Sequence, residues 1–223
     1  RAVRDLRDDR VVVDAGATWR ELLAATLPRG LVPPVLPDYL DLSVGGTLAV
    51  GGVGSRSWRS GVAADHLLEL RVVTGRGERV SCSPARDPRL FDVVRAGLGQ
   101  VAVITGATLA LVPAPRTVRR FLLSYPDLAT MLGEQRRLVR EARFEAVPGA
   151  ALADPAGGWR FRLEVVKEHS GSPPDDGELL AGLADDRSLA QASTLGYLDY
   201  LDRLAGLEQA LRAGGQWWCP HRG

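Results

Sequence analysis

The sequence predicts an α+β fold in two units. Three observations carry this. Strand-like segments joined by a hairpin turn fill the first 115 residues, and Pro113-Ala114-Pro115 forms a stiff break. In the second half a strongly helical stretch precedes a strand that alternates apolar and charged residues. The expected units are 1–115, a mixed or antiparallel sheet with flanking helices, and 116–223, a further α+β unit.

Val11–Val13 followed by Asp14-Ala15-Gly16-Ala17 reads as a short buried strand and its exit turn. Thr18 with Glu21 three residues on is a capping box for a helix over Trp19–Thr26, which should stop near Pro28-Arg29-Gly30. Leu31–Pro37 holds three prolines and should be extended or looped. Ser43–Gly61 carries Gly45, Gly46, Gly51, Gly52, Gly54 and Gly61, a density that penalises a regular helix or central strand. Leu67–Thr74 is strand-like, Gly75–Glu78 a hairpin turn and Arg79–Ser83 its return strand. Asp87–Val94 reads as a short helix, and Val101–Thr105 and Ala107–Val112 as two strands. Beyond the break, Leu123–Tyr125 ends a strand and Pro126–Arg143 is helical. Trp159–Lys167 alternates apolar and charged residues with period 2, as a half-buried strand does. His169–Gly177 is a polar loop, and Glu178–Leu183 and Tyr197–Leu211 are expected helices.

Composition narrows the function classes. The chain of 223 residues is 45% hydrophobic and 25% charged, which argues for a packed core and against disorder. Its net charge of +1 gives no support to a nucleic-acid partner. No apolar run approaches the roughly 18 residues a membrane helix needs, and Arg1–Arg10 is too charged for a signal peptide, so a cytoplasmic location is expected. Cys82 and Cys219 make no disulfide framework. His66, His169 and His221 have no ligand spacing, so a metal site is not expected. Lys167 and Ile104 are the only lysine and isoleucine, and asparagine is absent. This bias toward arginine makes any single arginine weak evidence of function.

The glycine-rich segment admits two readings: a set of turns needing positive φ, or backbone laid bare for close approach to a pyrophosphate. No Lys-Ser or Lys-Thr follows, so it is not a Walker loop. Gly52-Val53-Gly54 lacks the third glycine and the strand-to-helix setting of a dinucleotide turn.

Several runs together resemble one family. They are Val12–Leu23 (VVDAGATWRELL), Pro37–Leu48 (PDYLDLSVGGTL), Leu68–Gly75 (LELRVVTG) and Gly97–Thr105 (GLGQVAVIT), in that order. They resemble flavoproteins of the vanillyl-alcohol oxidase and p-cresol methylhydroxylase (PCMH) type. Asp38-Tyr39-Leu40 ahead of Val44–Leu48, Leu163-Glu164-Val165, Tyr197–Arg203 and Trp218–His221 are most similar to the cytokinin dehydrogenases.

The resemblance implies a partial PCMH-type FAD-binding domain over 1–115 and part of a substrate domain over 116–223. It implies FAD as cofactor and a small-molecule substrate, an N6-substituted adenine, whose secondary allylic amine is oxidised by hydride transfer to flavin. Asp38 matches the family's active-site aspartate, against the alternative of a turn or capping residue after Pro37. Glu164 matches a glutamate that hydrogen-bonds the adenine, against the alternative of a solvent-facing position on an alternating strand. Asp38, Ser43, Ala49, Val53 and Ile104 match positions around the flavin. Gly45, Gly46, Gly51 and Gly52 would bring backbone close to it. Arg56 and Arg59 could approach the pyrophosphate or stay solvated, and His66, Tyr200, Trp217 and Trp218 carry no role. The family's histidine-bearing flavin loop and its closing segment have no counterpart here, so the chain reads as truncated at both ends, with activity in doubt. Two other functions stand beside the first: an aldonolactone or sugar oxidase on the same scaffold, and a non-catalytic remnant.

Overall fold

The computed structural model describes residues 2–154 and 157–215. The chain runs β1 (Val3–Leu6), β2 (Arg10–Asp14), α1 (Trp19–Thr26), β3 (Leu31–Val32), α2 (Val44–Ala49), α3 (Ser57–Ser60), β4 (Leu67–Thr74), β5 (Arg79–Cys82), α4 (Pro88–Val94), β6 (Ala102–Ala110) and β7 (Val112–Pro113). It continues with β8 (Thr117–Tyr125), α5 (Leu128–Glu141), β9 (Gly149–Ala153), β10 (Trp159–His169), α6 (Asp176–Leu179), β11 (Gln191–Gly196), α7 (Tyr197–Leu201) and α8 (Ala205–Ala213).

Two antiparallel sheets organise these elements. The first has the order β1-β2-β6-β4-β5 and the second β11-β8-β10-β9, while β3 and β7 pair separately. Alternation explains the first sheet. Val11, Val13, Leu70, Val72, Ala107 and Leu109 are buried beneath α1 and α2 in the larger core. The second sheet buries Phe121, Leu123, Leu163 and Val165 against Met131 and Leu138 of α5. The larger core also takes in Val118, Ala146, Val166, Tyr197, Tyr200 and Leu201. The two sheets therefore meet through packed side chains.

Four sequence expectations are corrected. The glycine-rich segment contains a helix, α2, because Ser43 caps it and Val44, Thr47 and Leu48 are buried. Tertiary packing there outweighs the roughly 1 kcal/mol that each helical glycine costs. The expected pair of strands at 101–112 is one strand, β6. Gly106 does not break it. A Cβ there would fall 2.1 Å from Arg71 Nη2, so the glycine leaves room for that side chain to cross the sheet. The expected helix Tyr197–Leu211 divides into α7 and α8 at a turn over 202–204. In that turn Asp202 accepts from Arg20, 2.8 Å away, and Arg203 is drawn inward. The helix expected over Glu178–Leu183 is only the four-residue α6.

Candidate active site

The glycine-rich segment is held from three sides. Gly45 N donates to Ala15 O and Val44 N to Ala17 O, both at 2.8 Å. A Cβ on Gly45 would stand 2.5 Å from the Ala15 Cβ, so this glycine lets α2 touch the exit turn of β2. The buried Trp19 Nε1 donates to Thr47 Oγ1 at 2.8 Å, tying α1 to α2. At the far end Ala96 N donates to Leu48 O and Leu98 N to Ala49 O, from a turn in which Ala96 and Leu98 both take φ of 54°. Gly51 and Gly52 follow at φ of 94° and 74°.

This framework shapes a groove of about 230 Å³ lined by Pro37, Leu42, Ser43, Gly46, Thr47, Val50, Gly52 and Val53. Four of the residues expected near flavin therefore meet in it: Ser43, Gly46, Gly52 and Val53. The others do not line it. Gly45 and Gly51 are buried, Ala49 ends α2, and Ile104 sits in β6 opposite Val72, packed on the larger core. Ser43 Oγ already accepts from Gly46 N at 3.2 Å, and its own hydrogen remains free to donate.

The groove fits part of a flavin cofactor. Leu42, Val50 and Val53, which water disfavours, are 42%, 61% and 72% exposed around it, and Leu98 nearby is 67% exposed. A planar, largely apolar ring would cover them, with Ser43 and bare Gly46 backbone offering polar contacts. The volume lies below the roughly 300–1,000 Å³ of a pocket that encloses a ligand. These residues would thus hold one face of a cofactor.

Pro37 also borders a cavity of about 20 Å³, with Asp38, Arg56, Glu168, Tyr197, Tyr200 and Arg203 in its walls. It is large enough for about one water. Here the structure brings the two expected catalytic carboxylates to a common partner. Arg203 Nη2 donates to Asp38 Oδ1 at 3.1 Å and its Nε to Glu164 Oε1 at 2.9 Å. Glu164 Oε1 also accepts from Arg120 Nε at 2.5 Å. Glu164 is thus not on an open solvent face. Its side chain is 15% exposed, against 38% for Asp38. Arg203 is nearly buried. Burial works against its charge, but Tyr200, Glu164 and Asp38 outweigh that and hold its pKa above the usual value. Sequence reasoning missed Arg203 and Arg120, because in an arginine-rich chain neither stands out.

Arg56 and Arg59 turn to the second sheet. Arg56 lies 3.2 Å from Glu168 and Arg59 3.8 Å from Glu145, which Lys167 also approaches at 3.1 Å. Trp58 Nε1 donates to Glu145 O at 3.1 Å, so the end of the glycine-rich segment is clamped onto β10 and its neighbour. Burial raises the Glu168 pKa, with Arg56 opposing. His66 Nε2 lies 2.8 Å from Ser60 O. Trp217, Trp218, Cys219 and His221 lie outside the described residues. Among the described residues no helix is long and apolar enough to cross a membrane, and no group of three or more His, Cys, Asp and Glu could hold a metal.

Comparison with known proteins finds flavoprotein relatives. A family model described as an FAD binding domain matches residues 2–83. An uncharacterized oxidoreductase, ORF5 in the fasciation locus of Rhodococcoides fascians, is 41% identical over 220 residues, covering 98% of this chain and 50% of that protein. Cytokinin dehydrogenase 1 of Arabidopsis thaliana is 34% identical over 241 residues, covering 95% of this chain and 42% of that protein. The crystal structure of a VAO-type flavoprotein from Myceliophthora thermophila C1 superposes with a TM-score of 0.71 at 22% identity, over 87% of this chain and 37% of that one.

Residues 2–83 thus match the FAD binding domain family, and the chain is similar to PCMH-type FAD-binding flavoproteins. Its cofactor is FAD. The α+β architecture with antiparallel sheets is the corresponding part of the VAO-type fold. The chain spans about half the length of the curated relatives it matches.

Proposed function

We propose that this chain carries the substrate-facing carboxylates of an FAD-dependent oxidoreductase acting on a CH–NH donor, a secondary allylic amine borne on an adenine. One observation supports this reading above the others. Asp38, from the loop beside the flavin groove, and Glu164, from the second sheet, converge on Arg203. Similarity to proteins named cytokinin dehydrogenase supports the adenine.

Bound FAD would supply the acceptor for the hydride leaving the carbon next to the amine nitrogen. The chain's own residues do the rest. Asp38 presents Oδ2 as a base for the amine proton, while Oδ1 stays on Arg203. Glu164 presents Oε2 to an N–H of the ring, and Oε1 is held by Arg120 and Arg203. Leu42, Val50 and Val53 offer the apolar surface that a bound ring would cover. The oxidised product, an imine, hydrolyses to the aminopurine and an aldehyde.

The test begins with the full chain and added FAD, scored by visible flavin absorbance after gel filtration. Turnover of isopentenyladenine is then compared with that of glucose and an aldonolactone. Asp38→Asn should keep the flavin and lose amine oxidation. Turnover of a sugar or lactone instead, or full activity in D38N, would overturn the reading.

A further inference from the structure

Arg203 bridges the loop that bears Asp38 and strand β10 with its side chain 8% exposed, and all three nitrogens of its guanidinium donate. Nη2 reaches Asp38, Nε reaches Glu164, and Nη1 donates to Tyr200 O at 3.3 Å. The guanidinium carbon lies 4.4 Å from the centre of the Tyr200 ring. A planar fork with diverging donors on separate nitrogens spans two carboxylates at set angles and spacing, whereas a lysine ammonium donates from one rotating nitrogen and fixes neither. Among the described residues, Asp38 Oδ2 and Glu164 Oε2 receive no hydrogen bond.

Charge adds a second argument. Asp38 and Glu164 bring two negative charges, and Arg120 and Arg203 bring two positive ones. The cluster is balanced. It offers acceptor oxygens without the excess negative field that would draw in a protonated amine.

We propose that Arg203 is a positioning residue that sets substrate charge class. It fixes Asp38 and Glu164 relative to each other, and leaves one oxygen of each as an acceptor pair for a neutral substrate with two N–H groups. This rests on the roles of Asp38 and Glu164 given under the proposed function.

The experiment uses the FAD-loaded full chain in wild-type, R203K and R203M forms. Calorimetric titration measures two probes, neutral N6-isopentenyladenine and the cation pentylammonium, and guanidinium chloride unfolding is run in parallel. Wild type should prefer the adenine. R203K should unfold close to wild type yet bind the adenine roughly tenfold more weakly, since one ammonium nitrogen cannot hold the two carboxylates at the guanidinium's fixed spacing and angles. R203M, left with one unbalanced negative charge, should lose adenine affinity and gain pentylammonium affinity. Adenine affinity unchanged in R203K would overturn the proposal, as would R203M weakening both probes by the same factor.

If wild type takes up neither probe, the substrate reading fails by itself, and the holding role is decided by unfolding. Adding D38N to R203M should then recover part of the lost midpoint, because a carboxylate without its cation is removed. Strictly additive losses would overturn it.

Discussion

Replacing Gly52 by alanine tests whether the glycine-rich segment is shaped by the chain's own packing. Gly52 has φ of 74°, and a Cβ there would stand 2.6 Å from Thr47 Cγ2 and 2.8 Å from the Ala63 Cβ. A left-handed backbone costs an ordinary residue about 1–2 kcal/mol. Forcing a methyl into packed surroundings adds about 1–3 kcal/mol. The expected loss is therefore about 2–5 kcal/mol, a large part of the roughly 5–15 kcal/mol that holds a domain folded. In a chain of this size each kcal/mol moves the melting midpoint by roughly 2–4 °C, so G52A should melt roughly 4–20 °C below wild type by circular dichroism. G46A is the control. Gly46 is exposed, and its added methyl meets only Ser43 Oγ, at 2.8 Å. A helix-propensity gain of about 1 kcal/mol and a disturbed cap of about the same size should nearly cancel. A midpoint for G52A within about 2 °C of wild type, or an equal loss in G46A, would refute the packing argument.

Three further outcomes follow from the site. Thr47→Val removes the acceptor of the buried Trp19 Nε1 and should cost about 1–3 kcal/mol in denaturant unfolding; a smaller loss in T47V than in T130V, whose half-buried hydroxyl bonds only the exposed Asp127, would contradict it. Val53→Asp lies at a position 72% exposed, so stability should change by no more than about 0.5 kcal/mol while FAD uptake falls sharply on titration. Undiminished uptake would place the flavin elsewhere. Burial raises the Glu168 pKa above its ordinary 4.5, so the folded state binds that proton more tightly than the unfolded chain does. Stability should then fall as pH rises above 4.5 through the folded value, and E168Q should flatten that fall. The carboxylates of Asp14, Asp127 and Asp176 are shifted down by hydrogen bonds and act in the opposite sense, as pH drops below their ordinary 3.8. An identical slope above pH 4.5 in E168Q and wild type would remove Glu168 from the account.

Much of the fold was legible where local rules suffice. The capping box of Thr18 and Glu21, the hairpin at Gly75–Glu78 and the strand over Trp159–Lys167 appear as read, because each depends on neighbours in the chain, although Val165 and Val166 are both buried and Trp159 is 65% exposed. Strands β1, β9 and β11 escaped notice, since Gly149–Ala153 is uniformly exposed and Gln191–Gly196 has no apolar period. The glycines misled in one respect: at Gly45 and Gly106 the missing Cβ serves contacts with Ala15 and Arg71.

By itself the amino-acid order determined the α+β composition, the motif sequence shared with PCMH-type flavoproteins, and Asp38 and Glu164 as residues to watch. Tertiary structure alone decided that these two carboxylates share one guanidinium, and that Arg56 and Arg59 face Glu168 of β10 and Glu145 beside it. The reason is physical. Partners 165 and 39 residues away leave no periodic or propensity signal, and one arginine among many is marked out only by the charges folding places around it.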